Sequence, residues 1–117
     1  MIYILQSDNT TFSIDSTDCD GKDPTIMSAT KCSVPITTLR SSSTYNLPWG
    51  SSVYAKLLAY NHYGQSATSA VGNGAVILTI PDAPISVAEL YSSRTATSLG
   101  ISWTIGPNNG GAPVEDY

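Results

Sequence analysis

The sequence predicts an all-β fold, a sandwich of antiparallel sheets, present as two partial blocks. Three observations predict it. Short runs of alternating apolar and polar residues recur between turn residues, and no segment carries a convincing helical repeat. The run Val53-Tyr54-Ala55-Lys56-Leu57-Leu58-Ala59-Tyr60-Asn61 is the strongest strand signal in the chain. The tetrapeptide Pro81-Asp82-Ala83-Pro84 separates two strand-rich blocks, neither of which is a complete fold by itself.

Taken in order, Tyr3 to Ser7 alternates, Asp8-Asn9-Thr10 marks a turn, and Thr11 to Asp15 alternates again, which together predict a hairpin. Asp18-Cys19-Asp20-Gly21-Lys22-Asp23-Pro24 reads as a loop, with Ile26 and Met27 as a small apolar cluster over it. Cys32 to Leu39 reads as a strand with Pro35 inside it. A proline cannot donate to a ladder, so this strand must be an edge or be bulged. Tyr45 to Gly50 is a turn rich in large apolar side chains. Val53 to Asn61 follows as one strand, closed by Asn61-His62-Tyr63-Gly64. Ser66 to Ala70 is short and extended, Gly72-Asn73-Gly74 is a flexible joint, and Ala75 to Ile80 is a continuous apolar strand. Beyond the Pro81–Pro84 linker, Ile85 to Tyr91 alternates. Ser98 to Trp103 does the same, with Leu99, Ile101 and Trp103 on one face. Pro107 to Pro113 is an irregular turn, and Val114 to Tyr117 begins a further strand.

Composition narrows the function classes. The chain has 117 residues, enough for one ordinary domain, and 41% hydrophobic content, enough for one core. Only 12% of residues are charged, against about a quarter in typical soluble domains. Ser and Thr fill the gap. The net charge of -4 and isoelectric point near 4.5 argue against a nucleic-acid partner, which needs a basic stripe. No apolar run approaches the length of a membrane span, so no membrane insertion is expected within this segment. Met1 to Leu5 is too short, and lacks the charged flank, to be a secretory signal.

The motifs, in their order, resemble the fibronectin type III family, an immunoglobulin-like β-sandwich. The run Val53 to Asn61, followed by Tyr63-Gly64-Gln65-Ser66, looks like strand F and the F–G turn of that family. Leu47-Pro48 with Tyr54 is similar to its tyrosine corner, with one residue more than the usual spacing. Pro81-Asp82-Ala83-Pro84 looks like its inter-domain opening, Leu99-Gly100-Ile101-Ser102-Trp103 like strand B with its core tryptophan, and Gly110 to Tyr117 like the B–C turn and the start of strand C. The Cys19–Cys32 loop is the least typical part, an insertion between C′ and E.

The family runs A-B-C-C′-E-F-G, whereas this chain runs C-C′-E-F-G, linker, A-B, start of C. The resemblance therefore implies residues 1–80 as strands C to G of one domain, 81–84 as the linker, and 85–117 as A, B and the start of C of the next. In this layout G ends at one pole and A starts at the other. Strands of this length span roughly 20 Å, whereas a four-residue linker reaches about 14 Å. Strands A and B are thus expected to complete a neighbouring unit, and the expected partners are head-to-tail copies of the chain. Such a contact makes a filament if it does not close. The copies are either covalently continuous in a tandem array or exchange strands in trans; the smooth join of Val114–Tyr117 to Met1–Leu5 favours continuity.

Few residues carry site chemistry. Cys19 and Cys32 in a Ser/Thr-rich chain read as a disulfide from an oxidising, extracellular or cell-surface setting, against two free thiols. It would close a loop of about a dozen residues and stabilise by about 2–3 kcal/mol. Asn9-Thr10-Thr11 is a sequon, so an N-linked glycan is expected at Asn9, against an unmodified turn residue. The Ser41-Ser42-Ser43-Thr44 run suits O-glycans or an ordinary polar loop. Asp15, Asp18, Asp20 and Asp23 form a weak calcium candidate. Their spacing is not that of an EF-hand and no bidentate Glu follows, so a solvated acidic loop is the better reading. His62 stands alone in a turn, no nucleophile elbow is visible, and no enzyme activity or cofactor is expected. The expected function is a structural repeat of an extracellular or cell-surface fibre or adhesin. The alternative is a binding module for a protein or glycan, using Trp49-Gly50 or His62-Tyr63, or an accessory module of a carbohydrate-active enzyme.

Overall fold

A computed structural model of the chain describes residues 1–41 and 43–117, with the side chain of Asn73 also outside the description. The chain is mostly strands in antiparallel sheets with few helices, an all-β class. It divides into two compact units, Met1–Ile77 and Leu78–Tyr117.

The first unit is built on a four-stranded sheet. Strands β1 (Ile2–Leu5) and β2 (Phe12–Ile14) form the expected hairpin, with Tyr3 opposite Ile14 and Leu5 opposite Phe12. The Asp8 carboxylate explains the turn, since its Oδ1 accepts from the backbone N–H of Thr10 and Thr11 at 3.0 and 2.8 Å. Strand β3 (Ser52–Leu57) lies against β1, and β6 (Gly72–Val76) against β3, giving the order β2-β1-β3-β6. The chain folds one long strand signal into two elements: β3 stops at Leu57, and Tyr60–Asn61 (β4) pairs separately with Gly64–Gln65 (β5). Ser hydroxyls make this break possible. Ser69 Oγ accepts from the N–H of Leu57, and Ser66 Oγ from that of Ala59.

The glycine-rich joint at 72–74 is instead a strand, with a register shift where Tyr54 faces Asn73 and Val53 faces Ala75. Glycine within a strand suits such a bulge. The apolar run after it leaves the ladder at Ile77, whose N–H and carbonyl still bond Ser51 and Gly50 at 2.9 and 2.8 Å.

Two short helices replace the expected strand and loop between β2 and β3. Helix α1 (Pro24–Ala29) has Asp23 as its N-cap, bonded to the Thr25 N–H at 2.7 Å, and Pro at its first position. Helix α2 (Ile36–Arg40) corrects the strand reading of Cys32–Leu39. Pro35 precedes the helix and offers its carbonyl to the N–H groups of Thr38 and Leu39, so the residue that spoils a ladder starts a helix. Leu39 is the buried side chain of α2. It joins Ile4, Tyr45, Leu47 and Ile77 in the core, with Val34, Trp49 and Val53 packed against them. One face of the sheet is thus covered by α2 and the turn that follows. All these core residues belong to the first unit.

Candidate assembly surface

The second unit is a hairpin with an irregular return. Strand β7 (Ile85–Glu89) pairs antiparallel with β8 (Ile101–Thr104), with Ala88 opposite Ser102 and Glu89 opposite Ile101. The register shifts between Ile85 and Ala88, where Ser86 has φ +56. This bulge breaks the simple alternation of the sequence. Arg94 and Glu89 form an ion pair at 3.4 Å whose Arg94 side is exposed, a class of contact that contributes at most about 1 kcal/mol. The Pro-bearing joint is drawn into this unit. The Thr79 and Asp82 N–H groups bond the carbonyls of Gly110 and Asn108, both at 2.9 Å, and a side chain at Gly106 would strike the Asp82 carbonyl.

What distinguishes this unit is its missing core. Among its described residues no apolar side chain is buried. Along β8, alternation puts Ile101 and Trp103 on one face, and they are 58% and 46% exposed. Val87, Leu99 and Ile105 are exposed as well. The Trp103 ring has Tyr117 as a tilted neighbour at 5.5 Å between centroids. An open cleft of about 410 Å³, lined by Pro81, Pro84, Ile105, Val114 and Tyr117 among others, extends the apolar surface. Two strands with an uncovered apolar face are at best marginally stable in water.

The sequence-expected sites all lie in the first unit. Cys19 and Cys32 are joined in a disulfide, with Cα atoms 5.3 Å apart, closing the loop that holds α1. Cys19 is buried and Cys32 exposed. Asn9 sits in the exposed β1–β2 turn with φ +58, and the neighbouring Asp8 is held at about pKa 2 by hydrogen bonds from the Thr11 side chain and from the Thr11 and Thr10 backbone. Of the Ser41–Thr44 run, Ser42 lies outside the described residues; the hydroxyls of Ser41 and Ser43 are 2.9 Å apart.

Three of the four aspartates of the calcium candidate serve their own stretch of backbone, and the fourth, Asp18, reaches a distant hydroxyl. Asp15 accepts from the Thr17 and Asp18 N–H groups, Asp20 from that of Lys22, and Asp23 from that of Thr25, while Asp18 accepts from the Thr38 hydroxyl. Among the described residues no three His, Cys, Asp or Glu side chains form a group able to hold a metal. The Asp23 carboxyl is pulled below its ordinary value by the Thr25 N–H it caps.

Trp49 is half-buried and packed against the core, with the Arg40 guanidinium 4.0 Å from its ring centre. His62 and Tyr63 are exposed in the β4–β5 turn, edge to face at 4.4 Å. Tyr60 stands beside them and was hidden in the sequence inside an apparently continuous strand. Tyr54 is half-buried in β3. Among the described residues no helix is long and apolar enough to cross a membrane.

Against known family models, curated proteins and solved structures, the chain finds no match.

Proposed function

We propose that the chain is a non-enzymatic structural repeat of an extracellular or cell-surface fibre or adhesin, assembling head to tail so that each copy completes its neighbour's β-sandwich. The uncovered apolar face of β7 and β8 carries this reading.

The sheet order supports the fibronectin type III-like arrangement. In immunoglobulin-like sandwiches strands C, F and G share one sheet, and A and B lie in the other. If β1, β2, β3 and β6 are C, C′, F and G, the order β2-β1-β3-β6 is the order expected of them. The paired β7 and β8 then correspond to A and B, and they need a sheet to cover. Strand E is the departure, since α2 stands where it was expected. The disulfide fits an oxidising compartment.

The test is the mass of the full chain in solution. Concentration-dependent oligomers are expected, and the exposed-face variants Ile101→Asp and Trp103→Asp should weaken association by about 30-fold each, as truncation of a buried hot spot does. A folded monomer at all concentrations, with β7–β8 amides protected from exchange, overturns the proposal. Oligomers that dissociate on addition of a peptide spanning 85–103 indicate exchange in trans.

A further inference from the structure

The β4–β5 hairpin carries the two most exposed tyrosines of the first unit, Tyr60 at 71% and Tyr63 at 92%. They stand on a well-bonded turn. Tyr60 faces Gln65 and Asn61 faces Gly64 across the pair. Asn61 Oδ1 accepts from the Tyr63 N–H at 2.9 Å, and the base is closed by Ser66 N–H to the Ala59 carbonyl, also at 2.9 Å. His62 packs its ring against that of Tyr63. Beside the rings lies an open hollow of about 310 Å³, lined by Tyr60, Asn61, Tyr63, Gly64, Gln65 and Ser66. Gly64, at φ +142, has nothing within 4 Å of where a Cβ would stand, which keeps that side of the hollow clear.

The chemistry of this lining is selective. No Asp, Glu, Lys or Arg occurs between Ala59 and Ser66, so a charged ligand finds no counter-charge. The hairpin is too small to supply the roughly 800 Å² per side of a standard protein interface. Two amphipathic aromatic rings beside the Gln65 side-chain amide and the Asn61 Nδ2 match a ligand with flat C–H faces and many hydroxyls. The hollow is at the lower end of the size range of small-molecule sites. We propose that the β4–β5 hairpin binds neutral carbohydrate, with Tyr60 and Tyr63 as the stacking platform and Gln65 and the Asn61 side-chain amide as hydroxyl partners.

Two sources could present that sugar. One is a glycan on another molecule. The other is the Asn9 glycan of a neighbouring copy. Within the first unit, Leu58 N–H bonds the Met1 carbonyl and Ile2 faces Leu57, so the hairpin lies beyond the Met1 end of β1. The Asn9 turn lies beyond the other end, past Leu5 and Phe12. A chain's own Asn9 glycan therefore points away from its own hairpin, whereas head-to-tail stacking brings one copy's turn toward the next copy's hairpin. This second source rests on the assembly proposal; the binding site does not.

The test titrates the full, isotope-labelled Asn9→Gln chain with N,N′-diacetylchitobiose and with mannotriose, following backbone amide shifts. Shift changes concentrated in residues 59–66, with Kd in the range of about 0.1–10 mM, are expected. Tyr60→Ala and Tyr63→Ala should each weaken binding about tenfold or more, and Tyr63→Phe should keep it within about twofold. Unchanged amides of Ile4 and Leu39 establish that these exposed-site variants remain folded. No shift with either sugar, or shifts indifferent to both alanine variants, overturns the proposal. A second arm compares chitobiose binding by the glycosylated chain and by Asn9→Gln. Weaker binding to the glycosylated chain assigns the neighbour's glycan as occupant; equal binding assigns a glycan of another molecule. A monomeric chain that binds the sugars removes the neighbour as source and leaves the site standing.

Discussion

Single side chains settle the turns of the first unit, and they respond to pH and to truncation in different ways. Asp8 is fully solvent-exposed, yet hydrogen bonds from the Thr11 hydroxyl and the Thr11 and Thr10 N–H groups lower its pKa from 3.8 to about 2. Because the folded value lies below the unfolded one, its contribution is present above pH 4 and is lost as pH falls through about 2. Carboxyl titration by NMR should give a midpoint near 2, and Thr11→Val should move it back toward the ordinary Asp value. Tyr45 presents the opposite case. It is 1% exposed, its hydroxyl has no hydrogen-bond partner among the described residues, and burial followed by the charges of Asp15 and Asp18 raises its pKa. Removing an unpaired buried hydroxyl while keeping the ring costs little. Tyr45→Phe should therefore leave stability within about 0.5 kcal/mol or raise it, as read by denaturant unfolding; a loss of 2 kcal/mol would mean the hydroxyl is paired.

At the scale of elements, the segment between β2 and β3 depends on two things that act at a distance. One is the disulfide, which spans 13 residues and encloses α1. Helix α1 buries no side chain of its own, so little besides the covalent bridge and its Asp23 cap holds it in place. Paired replacement Cys19→Ser with Cys32→Ser should cost about 2–3 kcal/mol. It should also raise amide exchange across 20–31 before the sheet itself responds, and uniform exchange across the whole first unit would contradict this order of events. The other is Leu39, which ties α2 to the core. It explains why Cys32–Leu39 is not a strand. Nothing local forbids extension there apart from Pro35, and the helix is the conformation that places Leu39 in the buried cluster with Ile4 and Ile77. The signals for α1 were legible as an Asp-Pro start, but six residues are too few to show a helical period against a loop of turn formers.

At the scale of the whole molecule the deciding fact is the imbalance between the units. The buried apolar side chains of the described residues all lie in Met1–Ile77, and Leu78–Tyr117 has none. A chain made of two copies joined from Tyr117 to Met1 tests the assembly proposal without relying on concentration. The first copy's β7–β8 would then adjoin a continuous strand running into the second copy's β1. The junction should bury Trp103 and shift its fluorescence to the blue, and the joined chain should resist denaturant more than the single chain. Identical Trp103 emission in both chains would count against the proposal.

Read alone, the sequence determined what short-range chemistry determines. The Asp8–Thr11 turn, the β1–β2 hairpin and the shared face of Ile101 and Trp103 follow from alternation and turn residues. The cysteine pair followed from the wider composition of the chain. Only the tertiary structure decided the rest: that 32–40 ends in a helix, that Gly72–Gly74 enters the sheet, that the strand signal breaks before Tyr60, and that Ser86 bulges. Each of these is a contest between two locally acceptable conformations. For the first three the winner is set by partners outside the segment itself: the β1 and β6 edges of β3, the core that receives Leu39, and the serine hydroxyls that take over the N–H groups of Leu57 and Ala59.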